Sequence, residues 1–359
     1  MSATVASFSI EYHQFLDRDG HLIGDEVPEL ATDFDELISI YKLMVQTRTF
    51  DYKAIALQRT GKLGTYASCL GHEAVQIGIG SAMRAEDCFA PMYREYGTQL
   101  YRGVKMSEIL LYWGGDERGS DFAGPRHDFA WCVPIATQCL HAAGAALAFK
   151  LRDEKRVAVT VVGDGGSSKG DVLEAMNAGS AYDLPLVIVI INNQWAISVP
   201  RSKQNHAKTL AQKGLAAGLP SIQVDGNDYI ACRLVMEEAV ERARNGGGTT
   251  VIEMITYRLS DHTTADDASR YRPNAEVEEA WKSEPVARLR SYLESKGHWD
   301  DTKQAELEKQ AAEMVDEAVQ VYMNTPSPGI ASMFDYMFAE LPHDLQAQKE
   351  FALKEADNA

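Results

Sequence analysis

A chain of 359 residues, 45% hydrophobic and 24% charged, has ample apolar material for a sizeable core and suits one large α/β domain or two smaller ones. Its formal net charge of −17 argues against a basic nucleic-acid surface, and acidity alone names no partner. No apolar run approaches the roughly 18 residues of a membrane span, the N-terminus carries neither a secretory nor a mitochondrial leader pattern, and Cys69, Cys88, Cys132, Cys139 and Cys232 lack CxxC spacing, so reduced thiols in a cytoplasmic protein are expected rather than a metal site.

Met1 to Thr32 forms a weakly patterned arm, with a turn signal at Asp17-Arg18-Asp19-Gly20, that packs on the body or on a neighbour. Asp33 reads as an N-cap with Glu36 as its capping-box partner. The helix that follows buries Leu37, Ile40, Tyr41, Met44 and Val45, runs to about Arg59 and stops at Gly61. Gly64 to Gly71 is a glycine-bounded loop, and His72 to Met83 an apolar helix. Cys88 to Gly97 reads CFAPMYREYG, and on its own Tyr93-Arg94 is a surface turn. Val104 to Trp113 is helical. Gly114 to Trp131 is a Gly-, Asp- and Arg-rich loop containing Arg126 and His127. VPIATQ, Val133 to Gln138, precedes a small-residue helix, Cys139 to Lys150, in which His141 reads as a packed helix histidine.

The stretch from Val157 to Val199 carries the most information. Val157 to Val162 is a continuous β-branched and small apolar run, the pattern of a strand buried in a parallel sheet. Gly163-Asp164-Gly165-Gly166 follows, then helical spacing from Asp171 to Tyr182. A second apolar strand, Leu186 to Ile191, ends in Asn192-Asn193. This is a βαβ unit. In an open parallel sheet the ligand crevice lies beyond the carboxyl ends of the strands, where Asp164 and Asn193 both fall. A carboxylate, a side-chain amide and one backbone carbonyl would leave room on octahedral Mg²⁺ for two phosphate oxygens and a water. Gly165 and Gly166 would present N–H groups to a diphosphate near a helix N-terminus. The plainer alternative is a structural turn. GDGGSSKG matches neither GxGxxG nor GxxxxGK[ST], which argues against a nucleotide binder.

After this unit, Pro200 to Ala217 is a polar loop with a short helix, and Ile222 to Val224 a short strand. Ile230 to Arg244 is an amphipathic helix ended by Asn245 and three glycines, and Thr250 to Thr256 is another strand. The order continues a doubly wound parallel α/β sheet. Tyr257 to Arg272, YRLSDHTTADDASRYR, is long and polar and suits an active-site loop, with His262 its residue of interest. Glu276 to about Val321 reads as charged and helical, with Trp281, Val286, Leu289 and Leu293 at helical spacing. Pro326 to Gly329 breaks it, and a short amphipathic helix and charged tail close the chain.

The GDGG…NN pair, continued by NNQWAISVP, resembles the thiamine diphosphate and Mg²⁺ motif in the alpha subunit of the first, decarboxylating component of 2-oxo acid dehydrogenase complexes. The likeness runs from about Leu37 to about Leu341. It implies a thiamine diphosphate-binding α/β domain over 33–330, flanked by an arm (1–32) and a C-terminal helix and tail (331–359). It assigns cofactor contacts to Gly163, Asp164, Gly165, Gly166 and Asn193, and the metal to Asp164, Asn193 and the backbone carbonyl of Trp195. A phosphate-binding role falls to Arg94, a place beside the cofactor to Tyr93, and backbone contacts with the aminopyrimidine to Val133 and Ile135. His262 would face the reactive end, as a catalytic group together with Tyr93, and Arg258 would contact phosphate or organise its loop. The family often places a basic segment with an active-site histidine at Gly114 to Trp131. There the sequence departs, and Arg126 and His127 are the nearest candidates. Only one doubly wound unit is read, whereas such enzymes need a second domain with a glutamate on the aminopyrimidine. The resemblance therefore implies an α₂β₂ assembly with a beta subunit, and transfer of the acyl group to the lipoyl acyltransferase second component. Pyruvate is the first substrate expected and 3-methyl-2-oxobutanoate the second, with an acetoin-cleaving relative third. A scaffold subunit that has lost catalysis is the alternative from another class.

Overall fold

The computed structural model describes residues 2–25 and 27–357. Met1 and Glu26 of the expected arm, and Asn358 and Ala359 of the expected tail, lie outside the described residues. The strands, in chain order, are β1 (Tyr12–His13), β2 (Cys88–Ala90), β3 (Ala158–Gly163), β4 (Leu186–Asn192), β5 (Trp195–Ala196), β6 (Val199–Pro200), β7 (Ser221–Asp225) and β8 (Thr250–Ile255). Six of them build one parallel sheet in the order β1-β7-β8-β4-β3-β2, while β5 and β6 form a small antiparallel hairpin.

Both faces of the sheet are covered, which is why the central strands read as unbroken apolar runs. Side chains alternate along them. Val159, Val161, Val187, Val189 and Ile191 pack with Val75 and Ile79 and with helix Tyr229–Arg242. Ala158, Val162, Ile188 and Ile190 face the other way, onto helices Thr137–Leu151 and Gly170–Ala181. The handedness of crossovers fixes this distribution. From β2 through β3 and β4 to β7 the chain steps across the sheet in one direction, and the connecting helices that cover the sheet, Thr137–Leu151 and Gly170–Ala181, lie on one face. The return step from β7 to β8 puts helix Tyr229–Arg242 on the opposite face.

Helix Phe34–Arg59 binds the outer layers together. Its first half packs with Leu289, Tyr292 and Leu293, and its second half with Val315 and Val319. The Asp33 carboxylate accepts from the Glu36 amide at 3.0 Å, as expected of an N-cap. The expected reciprocal half of the capping box is not formed. Glu36 instead accepts from the Tyr229 hydroxyl at 3.3 Å, tying this helix to the sheet-covering helix. The arm packs on the body. Tyr12 and His13 extend the sheet beside β7, and the amides of Phe15 and Leu16 donate to the buried Asp228 carboxylate at 2.6 and 2.7 Å.

The segment read as one helix from Glu276 to about Val321 is three: Asn274–Trp281, Pro285–Ser295 and Asp301–Asn324. Glu284 caps the second, which has Pro285 in its first turn, and Asp300 caps the third. These local stop and start signals outweigh the continuous helical composition.

Candidate active site

Gly163 pairs with Ile191 in the ladder, so β3 and β4 leave the sheet together and deliver Asp164 and Asn193 to one edge. That edge opens into a cavity of about 370 Å³. Its wall includes Gly163, Asp164, Gly165, Gly166, Asn193 and Trp195 from the central unit, Tyr93 and Arg94 from the segment after β2, Ile135, and His262 from the long loop after β8. Residues 169 positions apart in sequence, Tyr93 and His262 (262 − 93), therefore converge on one space.

The glycine turn is held against the β5–β6 hairpin. A Cβ at Gly165 would lie 2.4 Å from the Ala196 Cβ, so a side chain there has no room. Lys213 braces the turn, its ammonium donating to the Ser167 carbonyl at 2.7 Å. Asp164 is 2% exposed, and burial raises its carboxyl above the ordinary range. Its side-chain hydrogen-bond partner is Gln204, which donates to Oδ2 at 2.5 Å. Asn193 Oδ1 accepts from the Trp195 amide at 3.2 Å. Among the described residues no three His, Cys, Asp or Glu side chains gather as a metal site. The hard oxygens on offer are one carboxylate, one amide and backbone carbonyls, a set that a divalent cation completes with ligand oxygens. Gln194 and Ile197 both hold left-handed backbones, φ 73° and 56°. For β-branched Ile197 this is a strained state, of order 1–3 kcal/mol, of the kind that gathers at sites.

Arg94 is 3% exposed and fixed from two sides. It donates to the Ser68 carbonyl, and through Nη2 to the His262 carbonyl at 2.9 Å. Ser68 is in turn held by Asp51, whose buried carboxylate accepts from the Tyr66 hydroxyl (2.9 Å), the Ser68 hydroxyl (2.6 Å) and the Cys69 amide (2.8 Å). Gln76 grips the same segment, donating to the Arg94 carbonyl at 2.7 Å and accepting from the Gly97 amide at 2.8 Å. The Tyr93 ring lies edge-on to His262, with centroids 6.3 Å apart.

His262 Nδ1 lies 3.3 Å from both Arg94 Nη2 and Arg258 Nη1. Guanidinium N–H groups only donate, so Nδ1 is the acceptor and the proton sits on Nε2. Burial, then the charges of Arg94 and Arg258, push the His262 pKa down to about 3. The ring is a neutral hydrogen-bond donor at ordinary pH.

Two of the expected residues stand apart from the wall. Val133 is half exposed and does not line the cavity, so of the VPI segment only Ile135 does. Arg258 is fully buried behind it, donating to the Ile197 carbonyl at 2.8 Å and the Tyr271 hydroxyl at 3.0 Å. These bonds tie the loop after β8 to the β5–β6 hairpin. Arg126 and His127 line a separate groove with Tyr101 and Glu86, and His141 stacks on Phe129. Sequence reasoning missed His72, Glu95, Lys169 and Gln204. The first three line the cavity, and Gln204 bonds Asp164. Glu95 adjoins the Tyr-Arg pair and was within reach. His72 carried no signal beyond its place at a helix start.

A family profile described as Dehydrogenase E1 component matches residues 41–331. Among curated proteins, the chain is 41% identical over 341 residues to "Pyruvate dehydrogenase E1 component subunit alpha" of Staphylococcus epidermidis, covering 95% of this chain and 92% of that one. It is 40% identical over 337 residues to the protein of the same name from Acholeplasma laidlawii, covering 93% and 97%. It is 38% identical over 349 residues to "3-methyl-2-oxobutanoate dehydrogenase subunit alpha" of Mycobacterium tuberculosis H37Rv, covering 97% and 95%. With the doubly wound sheet and the cavity at its carboxyl edge, these matches show that the chain belongs to the thiamine diphosphate-dependent dehydrogenase E1 component family.

Proposed function

We propose that this chain is the alpha subunit of a pyruvate dehydrogenase E1 component. With its beta subunit it decarboxylates a small 2-oxo acid, pyruvate first, and hands the acyl group to the lipoyl arm of an acyltransferase. The observation that carries the reading is the meeting of the Gly163–Gly166 turn, Asn193, Arg94 and His262 around one cavity. The cofactor, when bound, supplies the electron sink for decarboxylation. The chain's own residues bind and orient. Backbone N–H groups at Gly165 and Gly166 and the Arg94 guanidinium are proposed for the diphosphate. The Asp164 carboxylate, the Asn193 amide oxygen and the Trp195 carbonyl are proposed for Mg²⁺. Gly163 and the backbone at Ile135 are proposed to flank the cofactor. His262, as a neutral Nε2–H donor beside Tyr93, is proposed to hold a substrate oxygen, a contribution of about 10²–10⁴-fold if it also transfers a proton. Among the described residues there is one six-stranded parallel sheet, which supports a beta subunit as the source of the second half of the site.

A branched-chain substrate is the second reading, favoured by the 38% identity to the mycobacterial protein over 349 residues. The test is steady-state decarboxylation by the chain co-expressed with its beta subunit, given thiamine diphosphate, Mg²⁺ and an artificial electron acceptor, with pyruvate and 3-methyl-2-oxobutanoate compared. Preference for pyruvate is expected. Preference for the branched acid would select the second reading, and robust turnover by the alpha chain alone would overturn the shared site.

A further inference from the structure

His72 is 1% exposed and lines the cavity. Neither ring nitrogen has a hydrogen-bond partner. It occupies the N-cap of helix Glu73–Ser81, yet its side chain caps nothing. An imidazole is not a favoured N-cap, and burying a polar ring without partners is costly, so the local fold gives no reason for it. Its backbone is nonetheless rigidly held. The amide donates to the Cys69 carbonyl at 2.9 Å, and the carbonyl accepts from Gln76 at 3.0 Å. The next residue, Glu73, is ion-paired to Arg48 at 2.8 Å and accepts from the Gly71 amide at 3.0 Å.

We propose that His72 is a substrate-binding residue, whose ring hydrogen-bonds an oxygen of the 2-oxo acid in the cavity. His72 lines the cavity with both ring nitrogens unpaired, and a 2-oxo acid is dense in acceptor oxygens. Burial, with the charges of Arg94 and Arg258, drives the His72 pKa well below the ordinary histidine range. The ring is therefore neutral and offers one N–H donor and one acceptor. The inference rests on the reading of this cavity as a 2-oxo acid site.

The test uses the assembled alpha–beta protein carrying His72→Leu and His72→Gln. Thiamine diphosphate affinity is read from the fluorescence of Trp195, which lines the same cavity, and substrate use from KM and kcat. For His72→Leu, KM for the preferred 2-oxo acid is expected to rise about 10-fold or more, with cofactor affinity within about 2-fold of wild type. Thermal stability of the ligand-free assembly should be unchanged or higher, because an uncompensated polar ring is gone. His72→Gln, which keeps a donor and an acceptor, should recover most of the KM. An unchanged KM in His72→Leu overturns the proposal, as does a parallel loss of cofactor affinity, which would assign the ring to the cofactor. Should His72→Leu not assemble, His72→Ala carries the same comparison. A wild-type assembly that binds no cofactor and turns over neither acid would instead refute the functional reading itself, and that arm is independent of the variants.

Discussion

Arg94 holds His262 at two points, donating from Nη2 to the backbone carbonyl at 2.9 Å and lying 3.3 Å from Nδ1. One guanidinium thus helps to set the position of the loop after β8 and the tautomer of the imidazole, and its charge adds to burial in lowering the basicity of the ring. Arg258 adds a second donor at 3.3 Å from the other side. The Asp266 carboxylate completes the arrangement, accepting from the His262 amide at 2.9 Å.

The first prediction concerns the pH profile. With its pKa pushed down to about 3, His262 does not titrate near neutrality, so it contributes no limb to kcat/KM between pH 5 and 8. Arg94→Met removes one of the charges that depress it, and the His262 pKa should rise toward the ordinary value. kcat/KM should fall by roughly 100-fold, since a charge-assisted anchor of about 1.5–3 kcal/mol is lost. The pH dependence of kcat/KM for wild type and variant checks both. A wild-type acid limb near pH 6.5 that disappears in His262→Gln would contradict the neutral assignment.

The second concerns the metal. Asp164 is a buried carboxylate whose side-chain partner is the neutral Gln204, not a cation. Asp164→Asn should weaken Mg²⁺-dependent binding of thiamine diphosphate to the assembly by about 100-fold or more, because the charged donor of the set is lost. Gln204→Ala frees the carboxylate and should leave affinity within about 3-fold. Calorimetric titration at several Mg²⁺ concentrations separates the two variants, and equal effects would place the metal elsewhere.

A third prediction follows from Asp51, which is fully buried and accepts three hydrogen bonds from the loop that supports Arg94. Asp51→Ala leaves the donors of Tyr66, Ser68 and Cys69 without their acceptor and should destabilise the chain by about 3–5 kcal/mol. Asp51→Asn retains one acceptor oxygen and should cost less. Denaturant midpoints at constant slope would show the ranking. Activity should fall in the same order, because the Ser68 carbonyl anchors Arg94.

The central unit was legible because its local signals agreed: an apolar run, a glycine turn, a helix and a second run ending in Asn192-Asn193 can be read without tertiary knowledge, and the ladder pairing Gly163 with Ile191 follows. What escaped were residues whose role depends on distant partners. Glu36 looked like a capping-box residue and bonds Tyr229, 193 positions away (229 − 36), because tertiary packing offered a better partner than its own helix start. Asp51 stands on the helix face of Phe50, Ala54 and Leu57. A charged residue on an apolar stripe was the available signal for a buried hub. Glu253, inside the strand read as VIEMIT, is 1% exposed and accepts from Asn192 at 2.7 Å and from the Leu210 amide at 2.7 Å. Nothing in strand periodicity anticipates a carboxylate that ties β8 to β4 and to the loop beyond it.

The last prediction uses Glu95, a fully buried carboxyl on the cavity wall whose Oε1 has no hydrogen-bond partner. Burial is the largest cause of its shift, only partly offset by backbone N–H groups and Arg94, and its pKa is pushed up to about 7 from an ordinary 4.5. The sign follows from linkage. Between those two values the folded state holds a proton that the unfolded state has released, so stability falls as pH rises, at about 1.4 kcal/mol per pH unit at most. His262 acts in the opposite sense over pH 3 to 6.5, because there the unfolded chain takes up the proton first. In wild type the two slopes offset each other where they overlap. Glu95→Gln keeps the shape and removes the titration, so the variant should gain stability relative to wild type on going from pH 5 to pH 8. His262→Gln should show the reverse, its cost shrinking toward acid pH. Urea unfolding of the ligand-free chain at pH 5, 6, 7 and 8 measures both, and parallel stability curves for Glu95→Gln and wild type would show that Glu95 is already ionised in the folded chain.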